Sequence, residues 1–153
     1  AGLVLGKRDL LWNAFMNGAP HHAIGRPMKA GKEEVMGLLA AVEMWGKRDH
    51  DAEWKMWEGW LDEIWEAVRN VPTATKEIQM PGRSNVSPIL KIGWDATTVE
   101  LTPEAARDAL SQGEPRIEVF YHETGVEFMP YMMEPGEAPV VAKRLFEVLQ
   151  SGR

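Results

Sequence analysis

The sequence predicts an α+β fold in which long helices precede an antiparallel sheet with helices on one face. Residues 32–47 and 50–70 repeat apolar side chains at helical spacing, whereas 73–80 and 87–95 alternate apolar and polar side chains as strands do. From residue 73 onward the predicted order is strand, strand, helix, strand, strand, helix. That order is typical of an antiparallel sheet whose helices pack on one face.

The first thirty residues predict a strand, a short helix and a loop. GLVLG (2–6) is an apolar run bounded by glycines and predicts a buried strand. Residues 7–17 predict a helix with Leu10 and Phe15 on its apolar side, and the glycines and prolines within 18–29 predict a loop. Because the chain opens inside an apolar run without an initiator methionine, we expect it to be a fragment.

The two long helices differ in the width of their apolar faces. In 32–47 the apolar residues form one stripe, and Glu33 and Glu34 lie favourably in the first turn. In 50–70 tryptophans broaden the stripe, which comprises Trp54, Trp57, Leu61, Ile64 and Val68 and is widened by Trp60 and Trp65. A face this wide needs burial on more than one side, and helical spacing favours packing over a stacking platform.

The C-terminal half contains strong helix and turn signals. Thr102 and Pro103 are suited to the N-cap and first position of a helix that ends at Gly113. Residues 115–133 predict a hairpin that turns at 123–125, and a final helix closes the chain. Met129, Met132 and Met133 favour core packing, and Asp95 favours a turn cap.

Composition excludes several classes of function. A chain of 153 residues with a formal net charge of −6 is long enough for a real core and too acidic to favour non-specific nucleic-acid binding. It contains no cysteine, and therefore no disulfide framework, thiolate nucleophile or cysteine metal site. No apolar run approaches membrane-spanning length. We expect a cytoplasmic protein.

A cluster of cations precedes the helix at 32–47. APHHAIGRPMKAGKEE (19–34) collects Arg26, Lys29 and Lys32 where the helix dipole disfavours positive charge. One interpretation is a pocket for a phosphate or carboxylate, since a helix N-terminus also offers unpaired N–H groups. The other is a solvated basic loop in which Lys32 pairs with a glutamate of the helix. The residues alone favour neither.

Three further residues are candidates for polar contacts. His21 and His22 are adjacent and point in different directions, so they suit a contact near the anion pocket better than a shared metal. No metal-ligand spacing is present, and we predict no metal site. Arg116 follows Pro115 at a predicted strand end, where it suits bidentate carboxylate binding; the alternative is a surface ion pair with Glu118 or Glu100.

Five segments resemble one enzyme family. They are AGLVLGKRDLL, HHAIGRPMKAGKEEVMGLLAAVEMW, SPILKIGWD, LTPEAARDALSQGEPRIEV and MMEPGEAPVVAKRL, and together they span nearly the whole chain. The sequence is similar to the C-terminal portion of selenocysteine-synthase-like enzymes, which are fold-type-I proteins dependent on pyridoxal phosphate (PLP). Within that group, which includes the seryl-tRNA selenium transferases, it is closest to the D-glucosaminate-6-phosphate ammonia-lyases.

The resemblance implies a division of the chain into three parts. Residues 1–48 would end the large PLP domain and supply a connecting helix, 49–71 would be a tryptophan-rich interface helix, and 72–153 would form the C-terminal small domain. It also implies a homo-oligomer with active sites at subunit interfaces. The tryptophan helix would then pack against the large domain or a second subunit.

The resemblance also implies substrate-binding residues. Arg26 and Lys29 match loop positions that carry cations into the substrate site, and Arg116 matches a region that holds a substrate carboxylate. From the residues themselves, His21 or His22 would be a secondary contact, and we assign it to His22. In the selenium transferases the positions of Arg26 and Lys29 are both arginine. Lysine at the second position cannot bind an anion through two parallel hydrogen bonds as arginine does. An anionic amino acid or amino-sugar phosphate therefore fits better than selenium transfer on tRNA.

One departure concerns catalysis. In the family, the Schiff-base lysine precedes a GGPQ-like stretch that lies before the residues aligned with AGLVLG, and this sequence contains neither. Lys7 lies on the helix side and does not replace that lysine. We therefore expect PLP in the intact family protein, and assign no catalytic or cofactor-binding residue to this chain, which alone is expected to be inactive.

Three functions are thus considered. The favoured one is the C-terminal part of a PLP-dependent lyase or transferase acting on a small anionic amino compound. The alternatives are a non-catalytic module whose tryptophan face binds a partner protein, and part of a tRNA-dependent selenium transferase. Salt-sensitive binding of tRNA would support the last of these.

Overall fold

The computed structural model describes residues 2–83 and 85–151 and divides the chain into two compact units. The first unit is Ala1–Asp49 and the second is His50–Arg153. The three-part division implied by the family resemblance remains a prediction. Among the described residues, no helix is long and apolar enough to cross a membrane.

The first unit consists of two helices joined by a loop. Helix α1 spans Arg8–Met16, a 3₁₀ turn spans Arg26–Met28, and helix α2 spans Lys32–Trp45. Both predicted helices and the predicted loop are therefore confirmed. Neither helix buries a residue.

The strand predicted at 2–6 is wrong. Leu3, Val4 and Leu5 are 59%, 72% and 81% exposed, and the segment is irregular. A strand requires a second strand to satisfy its backbone N–H and C=O groups. The described part of the first unit contains no strand that could serve as that partner.

The second unit contains the sheet and the remaining helices. In chain order its elements are α3 (His50–Val68), β1 (Thr75–Gln79), β2 (Ile89–Gly93), α4 (Ala96–Val99), α5 (Pro103–Ser111), β3 (Phe120–His122), β4 (Gly125–Phe128), a 3₁₀ turn (Pro130–Met132) and α6 (Glu137–Ser151). The strands form a four-stranded sheet of order β1-β2-β4-β3, with every neighbouring pair antiparallel. The predicted α+β class is confirmed.

Alternation along the two central strands explains why helices pack on the sheet. Leu90 and Ile92 of β2 and Val126 and Phe128 of β4 are buried in the core. The intervening residues Lys91 and Glu127 are cross-strand partners on the other face, with Nζ and Oε1 3.7 Å apart. The period of two therefore directs one face of the sheet into the hydrophobic core.

Helix α3 contributes the helical half of that core. Trp57, Leu61, Ile64 and Val68 are buried on one face, as the sequence predicts, while the other tryptophans of the helix are half-buried. The helix packs along α6, which buries Ala138, Val141, Ala142, Leu145, Val148 and Leu149. The tryptophan face is thus partly covered within the second unit itself.

Side-chain caps begin α4 and α5. Thr102 Oγ1 accepts a hydrogen bond from the Ala105 N–H at 3.2 Å, which confirms the predicted N-cap of α5. Asp95 accepts from the Thr97 N–H at 2.8 Å and from Thr97 Oγ1 at 2.7 Å, and these hydrogen bonds lower the pKa of Asp95. The cap was predicted, but the single-turn helix α4 that follows it was missed.

The hairpin formed by β3 and β4 is shorter than predicted. It turns between His122 and Gly125, as expected, and its ladder ends at the pair Phe120–Glu127. Residues 115–119 were predicted as strand but pair with no strand of the described chain. The Ile117 N–H instead donates to the Leu110 carbonyl oxygen of α5 at 3.0 Å, so the segment is tied to the helix.

The packing of α3 makes a stability prediction. Leu61→Ala removes a side chain that is 1% exposed, and we expect a loss of about 2–5 kcal/mol in unfolding free energy. Met56→Ala, on the same helix at 40% exposure, should cost less than about 1 kcal/mol. Urea unfolding of the two variants measures the difference, and equal losses would contradict the packing of α3 described above.

Candidate functional site

The loop between α1 and α2 is closed by backbone hydrogen bonds. The Gly25 N–H donates to the Asn17 carbonyl oxygen at 2.8 Å, and a β-bridge joins Gly18 to Gly25. Within the loop, the His21 N–H donates to the Gly18 carbonyl oxygen at 3.0 Å. The loop therefore returns to its own starting point immediately before Arg26.

Arg26 is held by its own loop. One guanidinium nitrogen, Nη1, donates to the Pro20 carbonyl oxygen at 2.5 Å. Because a guanidinium carries five N–H donors, this bond leaves others for an anion. Arg26 and Lys29 both line an open cavity of about 540 Å³, together with Pro20, Met28 and Val35. The structure thus brings two of the predicted substrate-binding residues to one cavity.

The N-terminus of α2 carries charges of both signs. Gly31 occupies the N-cap without a side-chain cap, and Glu33 and Glu34 lie in the first turn. Lys32 is exposed and is not among the residues that line the cavity. The two carboxylates offset part of the local positive charge. Because Lys32 does not line the cavity, Arg26 and Lys29 are the cations that an anion in the cavity would meet.

The adjacent histidines have different surroundings. The His21 ring is half-buried and packs edge-on against Phe15, with ring centroids 5.1 Å apart and planes at 87°. His22 is exposed and does not line the cavity that holds Arg26. Its role as a secondary substrate contact remains a prediction. Over residues 2–83 and 85–151, no group of three His, Asp or Glu side chains is arranged to hold a metal ion.

Arg116 lies in the second unit and forms an ion pair with Glu118. Its Nε and Nη2 atoms lie 2.6 and 2.5 Å from Glu118 Oε1, and Ser111 Oγ donates to the same oxygen at 3.0 Å. The hydrogen bond from Arg116, followed by that from Ser111, lowers the pKa of Glu118. The ion pair considered as an alternative is therefore present, and carboxylate binding by Arg116 remains a prediction.

Arg116 also borders an apolar cleft that sequence reasoning missed. The cleft has a volume of about 580 Å³ and lies where the hairpin arms separate beyond the Phe120–Glu127 pair. Its apolar lining includes Ile117, Val119, Phe128, Met129, Tyr131, Met132, Met133, Val140 and Val141. The cleft becomes visible only in the structure, where the hairpin ladder ends sooner than the predicted arms do.

The three methionines at this cleft were predicted to be core residues, and the prediction is confirmed for one of them. Met133 is partly buried against the core. Met132, which is 81% exposed, and Met129, which is 39% exposed, are not core residues. The 3₁₀ turn Pro130–Met132 redirects the chain after β4, and this turn brings Met132 to the surface.

Comparison with known proteins gives a likeness in structure. No protein-family model matches the chain, and no curated protein matches it. A solved structure, "Structure of D-Glucosaminate-6-phosphate Ammonia-lyase", matches with a TM-score of 0.59 and 21% sequence identity. The match covers 86% of this chain but 36% of that one. The chain therefore has the fold of part of that enzyme, and spans little more than a third of its length.

The Arg116–Glu118 pair makes a prediction about pH. The pKa of Glu118 is lowered in the folded chain, so the ion pair stabilises the folded chain at pH values above the ordinary pKa of glutamate. This stabilisation is lost as the pH falls through the lowered pKa. Arg116→Gln should raise the pKa of Glu118, and Ser111→Ala should raise it by less. Carboxyl NMR titration measures both shifts.

A control variant separates this effect from a general change in charge. Arg69→Gln removes an arginine that pairs with Glu66 at 3.1 Å, and should leave the pKa of Glu118 unchanged. An unchanged Glu118 titration in Arg116→Gln would refute the assigned cause.

Proposed function

We propose that this chain is the C-terminal part of a PLP-dependent lyase or transferase of the selenocysteine-synthase-like family, acting on an anionic amino acid or amino-sugar phosphate. The observation that carries the proposal is the likeness in fold, over 86% of the chain, to a D-glucosaminate-6-phosphate ammonia-lyase. The cation-lined cavity adds support, since that enzyme's name specifies a phosphorylated substrate and a phosphate is an anion.

Arg26 and Lys29 are proposed to bind the phosphate group. The N–H groups of Arg26 that are not engaged by Pro20 suit two phosphate oxygens at once, and Lys29 adds a point charge. Arg116 is proposed to bind the substrate carboxylate, which would take the place of Glu118 as its partner. His22 is proposed as a secondary polar contact.

The PLP site is proposed to lie outside this chain. When bound to an enzyme, PLP acts as an electron sink for carbanion chemistry. The cavity that holds Arg26 is lined by no aspartate or glutamate that could pair with a pyridine nitrogen. The family resemblance also assigns the Schiff-base lysine to no residue of this sequence. We therefore derive no catalytic step, and assign to this chain the binding of the substrate's anionic group.

The surface of the first unit supports a partner for this chain. The described part of the unit contains no buried side chain, and its exposed large apolar residues include Leu10, Trp12, Phe15, Val35, Leu39, Val42 and Trp45. Exposed apolar surface of this kind marks an interaction site. We propose that the large PLP domain or a second subunit covers it. The same observation favours the second candidate function, a non-catalytic module that binds a partner protein.

Binding of D-glucosaminate 6-phosphate tests the proposed anion site. Arg26→Ala and Lys29→Ala should each weaken its affinity for the 153-residue chain roughly tenfold, as expected for a charge-assisted hydrogen bond. D-glucosaminate, which lacks the phosphate, should bind the unaltered chain more weakly and respond little to either variant. Isothermal titration calorimetry measures all of these affinities.

Two variants of the second unit control for the loss of a positive charge. Lys55 lies in α3 and Arg69 directly follows it, and both are exposed. Replacing either cation by alanine should leave the affinity unchanged. If all four variants weaken binding equally, the effect is one of net charge and the site is not at Arg26 and Lys29.

The catalytic part of the proposal has a separate test. The 153-residue chain, supplied with PLP and D-glucosaminate 6-phosphate, should release no ammonia above the level given by PLP alone, because no residue supplies the Schiff-base lysine. A coupled ammonia assay measures this. Turnover by the chain alone would contradict its proposed dependence on another domain, and salt-sensitive tRNA binding would favour the selenium transferase instead.

A further inference from the structure

We infer that Gly25 is a positioning residue of the anion site, because a backbone contact that only glycine permits fixes the location of Arg26. The inference rests on the proposed function in that it assigns the fixed guanidinium to anion binding. Gly25 itself offers no side chain to a ligand, so its effect on binding is exerted through Arg26.

The need for glycine at this position comes from close approach and not from backbone conformation. Gly25 has φ −82° and ψ −2°, a turn conformation with negative φ that is not restricted to glycine. A Cβ atom placed on it would lie 2.5 Å from the Asn17 carbonyl oxygen and 3.3 Å from the carbonyl carbon. Both are backbone atoms, which cannot move aside as the end of a flexible side chain can. A side chain at 25 must therefore separate Gly25 from Asn17.

That separation would displace both ends of the Arg26 hydrogen bond. Gly25 is the N-cap of the 3₁₀ turn that begins at Arg26, and its carbonyl oxygen accepts from the Met28 N–H at 3.1 Å. Pro20, whose carbonyl oxygen accepts from Arg26 Nη1, lies within the loop that the Asn17–Gly25 bond closes. Opening this bond therefore moves the turn that carries the donor and the loop that carries the acceptor.

Two other glycines provide matched controls. Gly46 is the C-cap of α2, where a Cβ would meet the Glu43 and Val42 carbonyl oxygens at an ordinary distance of 3.8 Å. Gly37 lies in α2, where a Cβ would meet no atom within 4 Å. Neither residue lines the cavity. Gly46→Ala and Gly37→Ala therefore make the same chemical change without the clash.

The experiment compares these variants by titrating the intact 153-residue chain with D-glucosaminate 6-phosphate. Gly25→Ala should weaken binding roughly tenfold, comparably to Arg26→Ala, whereas Gly46→Ala and Gly37→Ala should bind as the unaltered chain does. In the double variant G25A/R26A the two losses should not add, because residues that act through one contact are not independent. A general structural defect would instead lower affinity further in the double variant.

The possible outcomes separate the inference from the proposed function. Weak binding by Arg26→Ala together with unchanged binding by Gly25→Ala overturns the inference alone, as do additive losses or an equal loss in Gly46→Ala. Unchanged binding by Arg26→Ala overturns the proposed anion site and, with it, the functional role of Gly25.

Amide hydrogen exchange tests the backbone contact without depending on a ligand. The residue-25 amide should be protected in the unaltered chain and in Gly37→Ala, and should exchange faster in Gly25→Ala. An unprotected amide in the unaltered chain would refute the Asn17–Gly25 contact even if Gly25→Ala failed to fold.

Discussion

The second unit depends on the burial of one face of its two central strands against α3 and α6. Leu90 and Ile92 of β2 and Val126 of β4 are fully buried, and Leu61 and Leu145 belong to the same core. Hydrophobic burial at these positions fixes strand register, since a slip of one residue would exchange the buried side chains for Lys91 and Glu127. The same core sets the position of the hairpin arms, and therefore of the apolar cleft between them.

The first unit is organised on a different principle. Neither α1 nor α2 buries a side chain, so hydrophobic packing within the described part of the unit does little to hold it together. Its defined feature is the loop closed by the Asn17–Gly25 hydrogen bond, which needs only backbone groups and the absence of a Cβ atom. Cover of its apolar helices by another domain or subunit, as proposed above, would add to the stability of this unit. The proposed anion site would then be most firmly held in that assembly.

Residues whose roles follow from local patterns were predictable, and residues whose roles depend on distant contacts were not. Helical spacing identified the buried face around Leu61, and Thr102 identified the start of α5, because both signals lie within a few residues. The segment at 2–6 was mistaken for a strand because apolar composition does not reveal whether a partner strand exists. The loss of pairing before Phe120 was missed because the Ile117 N–H is taken by Leu110, seven residues away in another element. For the candidate site, the residues alone grouped Arg26 with Lys29 and Lys32, and the family resemblance singled out Arg26 and Lys29. Neither gave any sign of the Pro20 contact.

The Pro20 contact changes how the cation cluster is interpreted. A solvated basic loop would gain little from fixing an arginine, because an exposed guanidinium is well hydrated in many orientations. In this loop, the Pro20 carbonyl accepts a hydrogen bond from Arg26, and Gly25 lies too close to the Asn17 backbone for a Cβ atom. By the inference drawn above, this close approach keeps both ends of the Arg26 hydrogen bond in place. Ordering one arginine in advance reduces the entropy lost when an anion binds. The glutamates at the start of α2 already relieve part of the repulsion between the cations, so charge crowding alone is a weak argument for a ligand. The fixed position of Arg26, more than the number of positive charges, supports an anion site.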